Sequence, residues 1–326
     1  MAEFALLDSF LSKLPRDESV VLGVGDDAAV MTCPAGYQLV QTVDTMVSGV
    51  HFDGHFSPAD IAHKLLHVNL SDIAAMGAKP KWATVALTMP SGDKQWLIDF
   101  SSALIQGCKE NQLNLVGGDT TSGPLSISLQ LTGLVADGKY LTRKQALVGD
   151  DIYVSGTLGD AALALALQAD SSSLAPLNVN NEDREFLWQR LSRPQAQLRL
   201  GQALFGVANS CIDISDGLLA DLGHICKQSG VGAELSIENL PLSSAYKNCF
   251  ESEINYDYAL NGGDDYQLCF TVSSDKSNVI QDLIKDTSCK ISHVGTIVAD
   301  HQITPYLKQK HYQCQRPGWQ HFAAEQ

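Results

Sequence analysis

Acidic residues sit beside glycines, or at the ends of apolar runs, at six places: Gly25-Asp26-Asp27, Val43-Asp44-Thr45, Leu70-Ser71-Asp72, Gly117-Gly118-Asp119, Asp213-Ile214-Ser215-Asp216-Gly217 and Gly262-Gly263-Asp264-Asp265. One Asp-Gly pair is ordinarily a turn, because aspartate bonds its own backbone and glycine supplies positive φ. Six such places, four of them abutting apolar β-type runs, ask for more. Carboxylate and hydroxyl oxygens are the donors that hard divalent cations take. None of these segments has the alternating ligand spacing of an EF-hand loop, so the ligands would have to converge from separate elements.

The segment Gly23-Val24-Gly25-Asp26-Asp27-Ala28 invites a dinucleotide-binding reading. That motif requires a helix to open straight after the glycines, with its N-terminus facing a pyrophosphate. Pro34 and Gly36 break any helix almost at once, and Tyr37 to Val43 reads as a strand. Two carboxylates with no lysine nearby would also repel a pyrophosphate. Asp26 and Asp27 make better cation ligands than phosphate neighbours.

The elements that must carry these residues are legible in part. Ser57 as N-cap and Pro58 at the first helical position predict a helix over 57–76, closed by Gly77 with Pro80 beyond. Leu65, Asn69, Asp72 and Met76 fall on one stripe of it, which puts a carboxylate on a largely apolar face. A buried carboxylate needs a cation or a hydrogen-bonded cluster as partner. A second helix is expected around 93–110. Residues 115–123, before a strand at 125–131, read either as a simple glycine turn or as a segment whose two glycines let backbone N–H groups approach a ligand while Asp119 and the hydroxyls hold metal and phosphate. Ser215 and Asp216 stand at the predicted N-terminus of a helix starting at Leu218, where either would serve as cap. Asp213 on the incoming strand points the same way as Ser215.

Composition narrows the chemistry. The chain has 326 residues with 37 acids and 22 bases, a net charge of −15, and no basic cluster, which argues against a nucleic-acid partner. The most apolar run, Ala161 to Leu167, is too short to span a bilayer. The acidic start shows no secretory signal, and the eight cysteines show no metal-ligand spacing, so a reducing cytoplasm is expected. There is no P-loop and no protein-kinase motif set. Arg143 and Lys144 are the best direct phosphate contacts. A protein this acidic that binds a triphosphate must screen it with divalent cations.

The segments GVGDDAAV, TVDTMVSGVHF, VNLSDIAAMGAKP, VGGDTTSGP, LTR, DISDGLLADLGH, GGDDYQL and the terminal PGWQHF occur in an order that resembles bacterial thiamine-monophosphate kinases. That family belongs to the superfamily of aminoimidazole ribonucleotide synthetase and selenophosphate synthetase. The resemblance runs nearly the whole chain. It implies phosphorylation of thiamine monophosphate by ATP with several Mg²⁺ ions. It further implies that Asp27, Thr42, Val43 (through its carbonyl), Asp44, Asp72, Asp119, Asp213 and Asp216 hold metals. Gly118, Asp119, Arg143 and Ser215 would meet the nucleotide, and His51, Asp264 and Trp319 the thiamine substrate. The chain departs from the family's usual GGEDYEL, with Asp264 and Gln267 standing where glutamates are usual.

The chemistry of the residues agrees. A phosphate acceptor is already anionic near neutral pH, its second pKa being about 6. No general base is needed, and no Ser-His-Asp or Cys-His arrangement is visible. Two α+β domains are expected: an N-terminal mixed sheet with helices over 1–138 for metal and nucleotide, and a C-terminal α/β sandwich over 149–326 completing the site. In the resembling superfamily the N-terminal sheets pair across a homodimer into a barrel. Two other readings stay open: another ATP-dependent enzyme of the same superfamily, of ribonucleotide cyclo-ligase type, or a non-catalytic divalent-ion and nucleotide-binding protein.

Overall fold

The computed structural model of the chain describes residues 17–90, 93–169, 179–251 and 253–315. It divides into two compact units, residues 1–73 with 78–140 and residues 74–77 with 141–326.

The first unit begins with β1 (Val20–Leu22), paired antiparallel with β2 (Val30–Met31). Strand β3 (Tyr37–Val47), helix α1 (Pro58–Ala75), strand β4 (Lys79–Met89), helix α2 (Lys94–Glu110) and strands β5 (Asn114–Ser122) and β6 (Ser126–Ala136) follow. The sheet has the order β3-β6-β4-β5, with only β4 and β5 parallel. That parallel pair is joined by α2, since a parallel connection needs a crossover. Ser57 and Asp60 start α1 by reciprocal bonds, Asp60 N–H to Ser57 Oγ at 3.2 Å and Ser57 N–H to Asp60 Oδ2 at 3.3 Å. Asp93 caps α2 by accepting from the N–H groups of Gln95 and Trp96. Ile127, Leu129 and Leu131 of β6 form the fully buried inner face. The two helices approach so closely that a Cβ at Gly107 would lie 2.6 Å from Leu66 Cδ2.

The second unit is built on β7 (Asp150–Ser155), β8 (Ser210–Ile214), β9 (Gly232–Ser236), β10 (Gln267–Ser273), β11 (Ile291–Val298), β12 (Ile303–Leu307) and β13 (Lys310–His311). Their order is β13-β12-β9-β11-β7-β10-β8, antiparallel except where β12 meets β9. Its helices are α3 (Asp160–Gln168), α4 (Asn181–Ser192), α5 (Leu198–Ala203), α6 (Leu218–Ser229), α7 (Ser244–Asn248), α8 (Asp257–Asn261) and α9 (Ser277–Thr287). Leu268, Phe270 and Val272 of β10 pack with Leu200, Leu204, Ile280 and Leu283 into an apolar core. Both units are therefore mixed α+β, as expected. The first unit's sheet is open in a single chain, with β3 and β5 at its edges rather than joined in a barrel.

Candidate functional site

In the first unit, β3 alternates its side chains, so Thr42 and Asp44 share the inner face while Val43 between them is exposed. Helix α1 brings Asn69 and Asp72 to that face. Thr42 Oγ1 donates to Asp72 Oδ2, and the Asp44 N–H donates to Asn69 Oδ1 at 3.2 Å. Asn69 is itself fixed, its Nδ2 donating to Leu65 O at 2.9 Å. Burial first, and the Asp72 carboxylate second, push the Asp44 carboxyl up to about 7. Two carboxylates competing to be charged in one half-buried place fit a cation. Mg²⁺ is usually held by one or two carboxylates, with substrate phosphates and water completing its octahedron. The donor set of Thr42, Asp44 and Asp72 matches that pattern. Among the described residues, no three His, Cys, Asp or Glu side chains gather as a ready-made metal cluster.

The remaining first-unit candidates lie elsewhere in that unit. Asp27 is exposed in the turn between β1 and β2, and no helix follows the glycines before it. Gly117, Gly118 and Asp119 are part of edge strand β5 rather than a turn. Gly118 must be glycine there, because a Cβ would sit 2.4 Å from Val85 O. Register places Gly118, Val85, Leu129 and Asp44 in one row and Asp119, Ala86, Ser128 and Thr45 in the next. Neighbouring rows face opposite sides, so within one chain Asp119 is exposed on the face away from Asp44. His51 Nδ1 accepts the Val47 N–H at 3.1 Å, and the buried Lys64 Nζ donates to His51 O at 3.4 Å. The first bond leaves Nε2 as the protonated nitrogen of the neutral ring.

In the second unit, Asp213 is buried on β8 and leads into the loop of Ser215, Asp216 and Gly217. Neither Ser215 nor Asp216 caps α6. The N-cap is Gly217, and the carboxylate that collects the loop's N–H groups belongs to Asp221, inside the helix. Asp264 docks on the same loop, its N–H donating to Ser215 O at 2.9 Å, while the Tyr266 N–H donates to Ile214 O at 2.8 Å. The Tyr266 hydroxyl donates to Asp264 Oδ1. Asp265 between them is buried, and both its oxygens accept the Gly159 N–H at 2.9 Å. Burial pushes the Asp265 carboxyl well above the usual range. Arg143 is exposed on a segment tied to β8 by the Cys211 N–H, which donates to Thr142 O at 2.8 Å. The structure thus brings Ser215, Asp216 and Asp264 together on two interlocked loops, with Asp213 on the strand that leads into the first of them. Trp319 lies outside the described residues.

Asp221 and Tyr266 escaped the sequence reading. Asp221 had a signal in retrospect: an acid in the first turn after a loop crowded with unsatisfied N–H groups.

The fold and these two clusters define a class. Residues 25–135 match the model of the AIR synthase related protein N-terminal domain, and residues 148–308 match that of its C-terminal domain. The chain is 42% identical over 298 residues to the thiamine-monophosphate kinase of Haemophilus influenzae, covering 91% of this chain and 89% of that one. A crystal structure of thiamine-monophosphate kinase from Stenotrophomonas maltophilia superposes with a TM-score of 0.86 at 40% identity, covering 96% and 98% of the two chains. A structure described as AaThiL complexed with AMPPCP and TMP superposes with a TM-score of 0.75 at 31% identity, covering 98% and 97%. The chain is a member of the AIR synthase related family, and within it belongs to the thiamine-monophosphate kinases.

Proposed function

We propose that this chain transfers the γ-phosphoryl group of ATP to thiamine monophosphate, giving ADP and thiamine diphosphate. The observation that carries the reading is the Asp44–Asp72 pair: two acids crowded in one half-buried place, braced by Thr42 and Asn69. AaThiL, which was solved with AMPPCP and TMP, supports it as a relative of the same fold and length.

Thr42, Asp44 and Asp72 would hold Mg²⁺, with the Val43 carbonyl, Asp27, Asp119, Asp213 and Asp216 as further oxygen donors. Bound Mg²⁺ supplies neutralisation of charge on the phosphate oxygens. Gly118, Asp119, Arg143 and Ser215 are assigned to the nucleotide. Gly118 offers close backbone approach, and Arg143 is free to reach phosphate oxygens from an exposed segment. His51, Asp264 and Trp319 are assigned to thiamine monophosphate. His51 keeps Nε2–H as its donor because Nδ1 accepts from the Val47 N–H. No residue has to remove a proton, since the attacking phosphate oxygen is already anionic. The chain's task is to bring two anions into line and hold them.

We read the enzyme as a cytoplasmic homodimer. Supporting this are eight free cysteines, five of them buried, and the long edge strand β3, which exposes Tyr37, Leu39 and Val43. No helix among the described residues is long and apolar enough to cross a membrane. The test is ADP release assayed with ATP and Mg²⁺, with and without thiamine monophosphate. Release that depends on thiamine monophosphate is expected. Release driven instead by a ribonucleotide offered in place of thiamine monophosphate would move the chain to cyclo-ligase chemistry.

A further inference from the structure

We infer that Asp221 is a positioning residue that holds the Ser215–Gly217 loop, which follows Asp213 on β8, in its ligand-binding shape. The inference rests on the proposed roles of Asp213, Ser215 and Asp216 in holding metal and nucleotide.

A single oxygen, Asp221 Oδ2, accepts three consecutive N–H groups: Ser215 at 3.0 Å, Asp216 at 3.0 Å and Gly217 at 3.2 Å. The side chain is 3% exposed. Bonds to an ionised acceptor are the stronger kind, and their loss leaves buried donors unsatisfied. A helix ordinarily gets such help from a side chain at its N-cap. That route is closed here, because Gly217 has φ +117° and a Cβ on it would lie 2.8 Å from Asn261 C. The acid inside α6 reaches back instead. Ser215 and Asp216 therefore keep their side chains out of capping, while their backbones are fixed.

The loop is held from its other side as well. Ser215 O accepts the Asp264 N–H at 2.9 Å, and Ile214 O accepts the Tyr266 N–H at 2.8 Å. The Ser215 peptide groups are thus engaged at both N–H and C=O, and its hydroxyl is the group left over. Nothing about Asp221 puts it in contact with the reacting atoms; its effect would pass through the loop.

The experiment compares Asp221→Asn and Asp221→Ala with Leu222→Ala, a cavity control on the same helix whose side chain is fully buried. Each is measured for melting temperature, for KM and kcat with both substrates, and for binding of Mg²⁺ with a non-hydrolysable ATP analogue by calorimetry. Expected for Asp221→Ala is a loss of about tenfold to a hundredfold in nucleotide affinity, the equivalent of about one hydrogen bond to a charged group. Asp221→Asn, which keeps one acceptor oxygen, should recover part of that loss. Leu222→Ala should lower the melting temperature without moving the affinity. Asp221 variants with normal nucleotide and Mg²⁺ binding and only a lowered melting temperature would overturn the assignment. If the variants do not fold, hydrogen exchange on the wild type decides: protected amides at 215–217 are expected, and exchange at the rate of an open loop would overturn it. A wild type that binds the Mg²⁺–nucleotide pair but does not phosphorylate thiamine monophosphate would defeat the proposed function alone.

Discussion

The Tyr266 hydroxyl donates to Asp264 Oδ1 at 2.9 Å, and both residues hold left-handed backbone, with φ +49° and +69°. Such positions cost roughly 1–3 kcal/mol each and persist only where the surroundings enforce them. Enforcement comes from Asp265, buried between them and bound to the Gly159 N–H. The tyrosine thus fixes the position of the Asp264 carboxylate. Tyr266→Phe is expected to raise KM for thiamine monophosphate about threefold to tenfold, the net worth of one ordinary hydrogen bond, with KM for ATP unchanged. Unchanged KM for both substrates would remove Asp264 from the acceptor site.

Asp44 and Asp72 make a sharper case. Asp44→Asn and Asp72→Asn should each cut turnover by at least about a hundredfold at ordinary Mg²⁺, because charge neutralisation on the transferring group is the main source of catalysis. Metal-free protein should melt at the same temperature or a few degrees higher, since each change removes one of two carboxylates made costly to charge by burial first and by their mutual repulsion second. Near-normal rates for both variants would sink the cation reading. A large drop in melting temperature would mean the acids are structural.

Helix α1 was legible residue by residue. A helix is periodic, so the stripe of Leu65, Asn69 and Asp72 by itself points to an inward carboxylate, and Ser57 does start the helix. Strand alternation likewise pairs Thr42 with Asp44. The Gly117-Gly118-Asp119 segment looked like a turn, because glycine pairs usually are, yet it runs as an edge strand beside Val85 and Ala86. Strand order is set by partners far away in sequence, and no local pattern reveals it. The cap of α6 was misassigned for a related reason: capping rules look just before a helix, and Asp221 acts from inside it.

His67 offers a pH test of the first unit. It is buried on α1 with the His63 ring stacked at 4.2 Å, and burial first, then His63, push it down to about 3. A histidine depressed in the folded state favours folding fully above the unfolded pKa of about 6.5, and that contribution is lost as pH falls from there toward about 3. The fold should therefore be about 2 kcal/mol less stable at pH 5 than at pH 7.5 from this group. His67→Gln should flatten that step in denaturant melts. An equal step in wild type and variant would assign the pH dependence elsewhere.

The open edge of β3 bears on assembly. Light scattering on a sizing column should give about twice the 35.1 kDa of one chain. Leu39→Lys, on the exposed face of that strand, should shift the mass toward the monomer, because an edge lysine opposes strand-to-strand pairing. A wild-type monomer at micromolar concentration would rule out the homodimer.

The central claim is phosphoryl transfer to thiamine monophosphate under Mg²⁺. It is tested most directly by ³¹P NMR of the purified protein with ATP and thiamine monophosphate, once with Mg²⁺ and once with EDTA. Thiamine diphosphate and ADP growing together in the Mg²⁺ sample alone is the expected result. ATP and thiamine monophosphate unchanged in both samples, or thiamine diphosphate formed equally well in EDTA, would contradict it.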